Sequence, residues 1–221
     1  MALALPPMPR ACRGLLRTLL ALVLLAMLGG CATGGYYWQA ARGHLSLLQA
    51  ARPVEDWLAD PALDARLRER LERALHIRAF ASESLALPDN RSYRRYADLG
   101  RRAVVWNVVA APPDSLTLRT WCFPVAGCVS YRGYFDEAQA RAFAREVEAQ
   151  GLEVAVYPVP AYSTLGWLDW LGGDPLLNTF IHYPEGELAR LIIHELAHQR
   201  VYQRDDTLFN ESFATAVERL G

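Results

Sequence analysis

Apolar and polar residues alternate along this chain with two periods, and the switches between them divide it into helices and strands. Arg10, Arg13 and Arg17 lead into Leu19 to Leu28, an apolar run without charge, and Tyr36 to Ala51 then reads as a helix. Leu63, Leu67, Leu71 and Leu75, interleaved with arginines and glutamates, predict an amphipathic helix through about Ser84 whose charges form a solvated face. Ala103 to Val109 is rich in β-branched residues and stops before Ala111-Pro112-Pro113-Asp114; beyond it Leu116, Leu118 and Thr120 alternate with polar neighbours, so a strand pair is expected. Asp136 caps a predicted helix that runs to Gln150 and is closed by Gly151, and Leu152 to Val159 reads as another strand. Trp167 to Gly173 is expected to be an exposed aromatic loop that lines a cleft or covers the core. Leu188, Leu191, Ile192, Leu196 and Val201 then recur at helical spacing after an entry at Tyr183-Pro184-Glu185. Arg204 to Thr207 is polar and loop-like, and Asn210 is the expected cap of a last helix carrying Phe213, Ala214, Val217 and Leu220. The fold class is α+β, a small mixed sheet with a helical region at its C-terminal end.

That helical region carries the chemistry. His194-Glu195-Leu196-Ala197-His198 is an H-E-x-x-H pattern. Residues four apart share a helix face, so His194 and His198 can present two imidazoles to one metal ion while Glu195 stands beside an open coordination position. Zinc in a catalytic site takes three protein ligands and a water, and Glu211 on the next helix is the carboxylate that completes a His2Glu set. The competing reading is a surface helix with polar pairs at i,i+4. Isoleucines and leucines crowd this helix, however, and two histidines and a glutamate buried there without a partner would be costly. Glu195 is then the general base and acid of a peptide hydrolysis. Tyr162, Tyr183 and His182 are candidates for stabilising an oxyanion, with ring packing as their alternative role. Glu218, seven residues after Glu211, shares its helix face and is a candidate to orient a ligating imidazole.

With Asn210-Glu211-Ser212-Phe213-Ala214-Thr215, the motif His194 to Gln199 resembles the glutamate-zincin peptidases, the class that includes thermolysin and aminopeptidase N. More closely, Ala161 to Trp167, Asp174-Pro175-Leu176-Leu177 and Phe180 to Gln199 resemble a bacterial family of aminopeptidase lipoproteins. The resemblance implies a zincin-like active-site region, one Zn2+ ion, a peptide substrate and removal of N-terminal residues. It departs from the wider class in a shorter gap between His198 and Glu211 and in lacking the Gly-x-Met-Glu-Asn segment with which aminopeptidase N holds a free amine. It also leads to the expectation of a further helical region beyond Gly221, so the chain is read as truncated at its C-terminus.

The N-terminal run ends in Leu28-Gly29-Gly30-Cys31, which resembles a bacterial lipobox, so residues 1–30 are read as a lipoprotein signal peptide and 31–221 as the metallopeptidase domain. The alternative is a membrane anchor, but the run is short against the ~20 residues of a spanning helix. The resemblance implies acylation of Cys31, and Ala32 in place of an aspartate points to the outer membrane, facing the periplasm. Cys122 and Cys128 remain as a pair, read as a disulfide in an oxidising compartment, with a two-cysteine metal site as the alternative. The chain has no lysine, and loss of the three signal arginines takes its formal charge from −1 to about −4, so nothing suggests a nucleic-acid partner. Three functions are left: an envelope aminopeptidase, an envelope endopeptidase acting in protein quality control, and a non-catalytic lipoprotein that uses zinc for folding alone.

Overall fold

A computed structural model describes residues 34–123 and 127–221 of the chain; the apolar N-terminal run and Cys31 lie outside the described residues. The chain divides into two compact units, Met1–Arg42 and Gly43–Gly221. Residues 34–50 are helical (α1), and the division falls within that helix. The account below concerns the second unit.

Its helical layer begins with α2 (Val54–Leu58) and α3 (Ala65–Glu83). Asp64 starts α3 by accepting from the amide of Leu67 at 3.0 Å, satisfying one of the donors left open at a helix start. Leu71, Ala74, Arg78 and Ala81 follow at spacings of three and four, and all are buried. This stripe packs on α5 (Glu185–Arg200), whose Leu188, Ile192 and Leu196 are fully buried in the same core cluster. Arg78 is a charge inside that layer, 1% exposed. Its guanidinium donates to the carbonyls of Ser92 (3.0 Å), Pro88 (2.7 Å) and Asn90 (3.2 Å) and to the Ser82 hydroxyl, so burial is met by a full set of acceptors. The segment 88–92 is thereby wrapped around a helix side chain.

The β-structure is small and mixed, in accord with the α+β class read from the sequence. β1 (Arg52–Pro53) and β2 (Arg95–Ala97) are antiparallel, and β2 pairs in parallel with β8 (Leu176–Leu177), Tyr96 opposite Leu176 and Ala97 opposite Leu177. A second sheet has β3 (Val105–Ala111) between β6 (Arg132–Tyr134) and β7 (Glu153–Val159), all antiparallel. α4 (Glu137–Glu148) lies against it and buries Ala140, Ala144 and Val147; its cap is Asp136, accepting from the Gln139 amide at 2.9 Å. A two-stranded hairpin, β4 (Trp121–Phe123) with β5 (Gly127–Val129), carries a disulfide between Cys122 and Cys128.

Two expected elements come out differently. Residues 116–120 form no strand: the Arg119 amide donates to the Ala110 carbonyl of β3 at 2.7 Å, a single bond that no ladder extends. Leu116 is fully exposed and Leu118 is 43% exposed, so their alternation serves no buried face. The last helix, α6 (Thr207–Leu220), starts a turn earlier than an Asn210 cap would place it. Asp206 is the cap, accepting from the Phe209 amide at 2.9 Å, and Asn210 is buried inside the helix.

Candidate functional site

α5 and α6 are joined by residues 201–206 and pack on each other. Leu188, Ile192, Leu196 and Ala197 turn one face of α5 into the core, which rolls His194 and His198 toward α6. α6 answers with Glu211 and Glu218, seven residues and hence two turns apart on one face.

Four side chains meet at this seam. His194 Nε2 stands 3.1 Å from His198 Nε2 and 3.2 Å from Glu211 Oε2, and His198 Nε2 is 3.6 Å from Glu211 Oε1. These three residues are the group whose donor atoms converge closely enough to hold a metal ion among the described residues. Ligands at ~2.0–2.1 Å from a tetrahedral ion stand about 3.3–3.4 Å apart, so the observed triangle fits zinc with nitrogen and oxygen donors. The tautomer agrees. His194 Nδ1 lies 2.9 Å from Glu218 Oε2, a carboxylate that accepts, so Nδ1 keeps its proton, and when the imidazolium gives up its other proton Nε2 is the nitrogen that offers a lone pair to an ion. His198 Nδ1 is buried and has no hydrogen-bond partner among the described residues, so only one of the two imidazoles has an outer carboxylate to orient it.

The electrostatics express the same crowding. The hydrogen bond to Glu211 pushes His194 up to about 9 against its desolvation, with Glu195 and Glu218 adding to the rise. Burial lowers His198, and the bond to His194 lowers Glu211. Glu195, part-buried on the neighbouring strip of α5, is raised by desolvation to about 7, while a hydrogen bond from Ser163 favours its charged form. A carboxyl group near 7 is matched to proton transfer at neutral pH.

An open cleft of about 270 Å³ lies at this face, lined by Tyr183, Glu187, Arg190, Leu191, His194, Glu195 and Glu218. Tyr183, Glu195 and Glu218 are thus brought to one place. Tyr162 is placed otherwise: its ring packs on Phe135 (centroids 5.2 Å) and His44 (5.7 Å), against the core. His182 is exposed, lowered by desolvation and by Arg66 and Arg70. The Cys122–Cys128 hairpin meets the connection between α5 and α6, where Asp205 Oδ1 accepts from the Cys128 amide at 2.7 Å. A Cβ at Gly127 would collide with Asp205, so this approach requires glycine. The tryptophans of the expected aromatic loop are exposed, Trp167 at 60% and Trp170 at 71%, with a short 3₁₀ turn over Asp169–Leu171.

Several residues near the site carry no periodic signal in the sequence, although the segments of Ser163 and Asp174 share in the family resemblance. Tyr131 feels the charges of Glu211 and Glu195 and, with desolvation as the main cause, its phenol is pushed up to about 12. Ser163 and Asp174 reach Glu195 from a loop that precedes the helix. Their separation from Glu195 exceeds any helical or strand repeat, and only the Asp174-Pro175 dipeptide marks the loop as structured.

Residues 35–221 match the family described as "Putative aminopeptidase". No curated protein and no solved structure matches the chain.

Proposed function

Since the chain belongs to this aminopeptidase family, we propose that it is a zinc-dependent peptidase that removes N-terminal residues from periplasmic peptides and is held at the outer membrane by a lipid on Cys31. A peptidase family implies a peptide substrate. The observation that carries the zinc reading is the convergence of His194 Nε2, His198 Nε2 and the Glu211 carboxylate at separations of 3.1 to 3.6 Å. His194, His198 and Glu211 would hold the ion, with Glu218 fixing the first imidazole. The chemistry such an ion supplies is Lewis acidity, which makes water acidic near neutral pH and polarises a carbonyl.

The remaining work falls to the protein. Glu195 takes the proton of the attacking water and passes it to the leaving amine, and desolvation keeps its carboxyl near 7, where both halves of that transfer are accessible. Tyr183 at the cleft is the phenol set to donate to a developing oxyanion. Glu187 and Glu218 place carboxylates at the cleft, Glu187 paired with Arg190 at 3.5 Å and Glu218 bonded to His194 Nδ1, and the choice of a free α-amine as the recognised group rests on the family.

The experiment is mass spectrometry of a mixed peptide pool incubated with the zinc-loaded full chain, beside Glu195→Gln. Stepwise loss of N-terminal residues that vanishes in the variant is the expected result. Internal cuts would replace the aminopeptidase by an endopeptidase. An unchanged pool with zinc bound would leave a structural role.

A further inference from the structure

Gln199 directly follows His198, and its side chain is held from outside the helix. Asn90 Nδ2 donates to Gln199 Oε1 at 2.6 Å, and Gln199 Nε2 donates to Ser92 Oγ at 3.2 Å. The direction of these bonds is set by Arg78, the cation buried in α3. Its guanidinium donates to Asn90 Oδ1 at 3.4 Å, and the Ser92 amide donates to the same oxygen at 3.1 Å. With that oxygen engaged, Asn90 turns its Nδ2 toward Gln199, which must then offer Oε1 to Asn90 and Nε2 to Ser92. Arg78 also binds the carbonyls of Ser92, Pro88 and Asn90, so the segment that grips Gln199 is itself fixed.

Ser92 is fully buried and ties in a third segment. Its Oγ accepts from the Asp174 amide at 3.2 Å, and the Asp174 carbonyl accepts from the Tyr93 amide at 2.7 Å. Gly173, at φ +69°, permits this approach, since a Cβ there would run into the backbone of Arg91 and Ser92. The grip on Gln199 is thus anchored in α3, in the 88–92 segment and in the loop before β8.

The two histidines of the metal triangle need such support unequally. His194 lies well inside α5 and has Glu218 on its Nδ1 at 2.9 Å. His198 is third from the end of α5, and its buried Nδ1 has no hydrogen-bond partner among the described residues. The last turn is where a helix runs out of its own hydrogen bonds, so the height and rotation of His198 depend on what holds that turn. Gln199 stands about 100° round the helix from His198, and its two bonds fix the turn without touching the imidazole.

We propose that Gln199, gripped by Asn90 and Ser92, is a positioning residue that holds the last turn of α5 in the register at which His198 Nε2 meets His194 and Glu211. The proposal rests on the reading of this triangle as a zinc site. Loss of a partner bonded directly to a ligating residue costs about 10- to 100-fold in metal affinity. Gln199 acts one step further out, through the backbone, so the lower end of that range applies.

The test measures zinc affinity by competition with a chromophoric chelator, the visible spectrum of the cobalt-substituted protein and the melting temperature of the metal-free protein. It compares full-chain wild type, Gln199→Met, Asn90→Ala and Asp136→Ala. Gln199→Met keeps the length of the side chain and loses both bonds; Asn90→Ala removes half of the grip and leaves α5 unaltered. Asp136 caps α4, so its loss lowers stability away from the site. Gln199→Met is expected to weaken zinc binding about tenfold and to change the cobalt spectrum, and Asn90→Ala to act in the same direction. Asp136→Ala is expected to melt earlier with both metal readings at their wild-type values. Affinity that merely follows melting temperature across the three variants, or wild-type affinity and spectrum in Gln199→Met, overturns the proposal. Should Gln199→Met fail to fold, Asn90→Ala decides by the same readings. Crystal structures of the metal-free proteins add a readout without metal: the His198 imidazole shifts relative to His194 in the variant, and an unmoved ring overturns the proposal. A wild type that takes up no zinc would sink the metal reading instead, and the position of His198 in the metal-free crystals would still decide the positioning role.

Discussion

Asn210 and Gln203 exchange two hydrogen bonds across the connection between α5 and α6: Asn210 Oδ1 accepts from the Gln203 amide and its Nδ2 donates to the Gln203 carbonyl, each at 2.7 Å. The amide side chain mimics a strand partner and closes the loop, in which the Gln203 carbonyl also accepts from the Asp206 amide at 3.4 Å. Glu211 is the next residue. The clamp therefore sets the height of the third metal-binding group opposite His198.

Asn210→Ala is accordingly expected to do more than weaken the fold. The side chain is 3% exposed, and its removal takes the acceptor from the Gln203 amide and leaves the Gln203 carbonyl only the Asp206 amide at 3.4 Å, a loss on the order of 1 kcal/mol. Urea denaturation should report a lower midpoint, and a zinc titration a weaker affinity. Unchanged zinc affinity in a destabilised protein would detach the clamp from the metal site.

Glu218→Ala tests the tautomer argument. Glu218 touches His194 Nδ1 and no other member of the metal triangle. Zinc affinity is expected to fall by about 10- to 100-fold while the fold is kept, as for other carboxylates behind a ligating imidazole. Glu211→Gln should have the larger effect, since it removes a ligand charge. Equal affinities in wild type and Glu218→Ala would mean that the 2.9 Å contact does not orient the ring.

Zinc binding should release a proton. In the metal-free fold His194 holds its proton up to about pH 9, chiefly through its bond to Glu211, and zinc takes the deprotonated ring. The folded pKa lies above the unfolded value near 6.5. This group's stabilisation of the metal-free fold is therefore complete below about pH 6.5 and lost as pH rises through about 9. Calorimetry at pH 8 in buffers of different ionisation enthalpy should give close to one proton released per zinc. A heat independent of buffer would refute it.

Removal of the metal should lower thermal stability, because an ion bound by the native state alone stabilises by RT ln(1 + [L]/Kd), roughly 2.7 kcal/mol at a hundredfold excess over Kd. Scanning calorimetry with zinc and with a chelator is the measurement. α5 and the loop behind Glu195 are cross-linked by protein hydrogen bonds alone, so the metal-free chain is expected to retain one cooperative transition at a lower temperature. A featureless scan would make zinc a condition of folding.

Local periodicity exposed most of the fold. α3, α4, α5 and β7 lie within one or two residues of where the spacing of apolar positions sets them, since each is defined by neighbours three or four residues away, or two in a strand. Asp136 acts as a cap from the reading of its own few residues. Residues 116–120 mislead for the same reason: alternation was present, but only one backbone bond, Arg119 to Ala110, reaches β3, and Leu116 and Leu118 find no buried face. Asn210 misleads because Asp206 is an equally good cap one turn earlier, and the buried clamp to Gln203 decides between them.

By itself the sequence determined that His194, Glu195 and His198 share one helix, with the histidines on one face, and that an acidic residue on a following helix stood ready to join them; both depend on helical geometry alone. Only the tertiary structure decided that Glu218 meets His194 Nδ1, that Tyr162 packs on Phe135 against the core, and that the loop at Asp174 is tied to α5 through Ser92 and Gln199. These contacts join segments whose approach is set by the packing of α6 on α5, by the parallel pairing of β2 with β8 and by a guanidinium buried under the 88–92 segment. Such closures are bought with the chain entropy of long loops, and burial of the shared core supplies it.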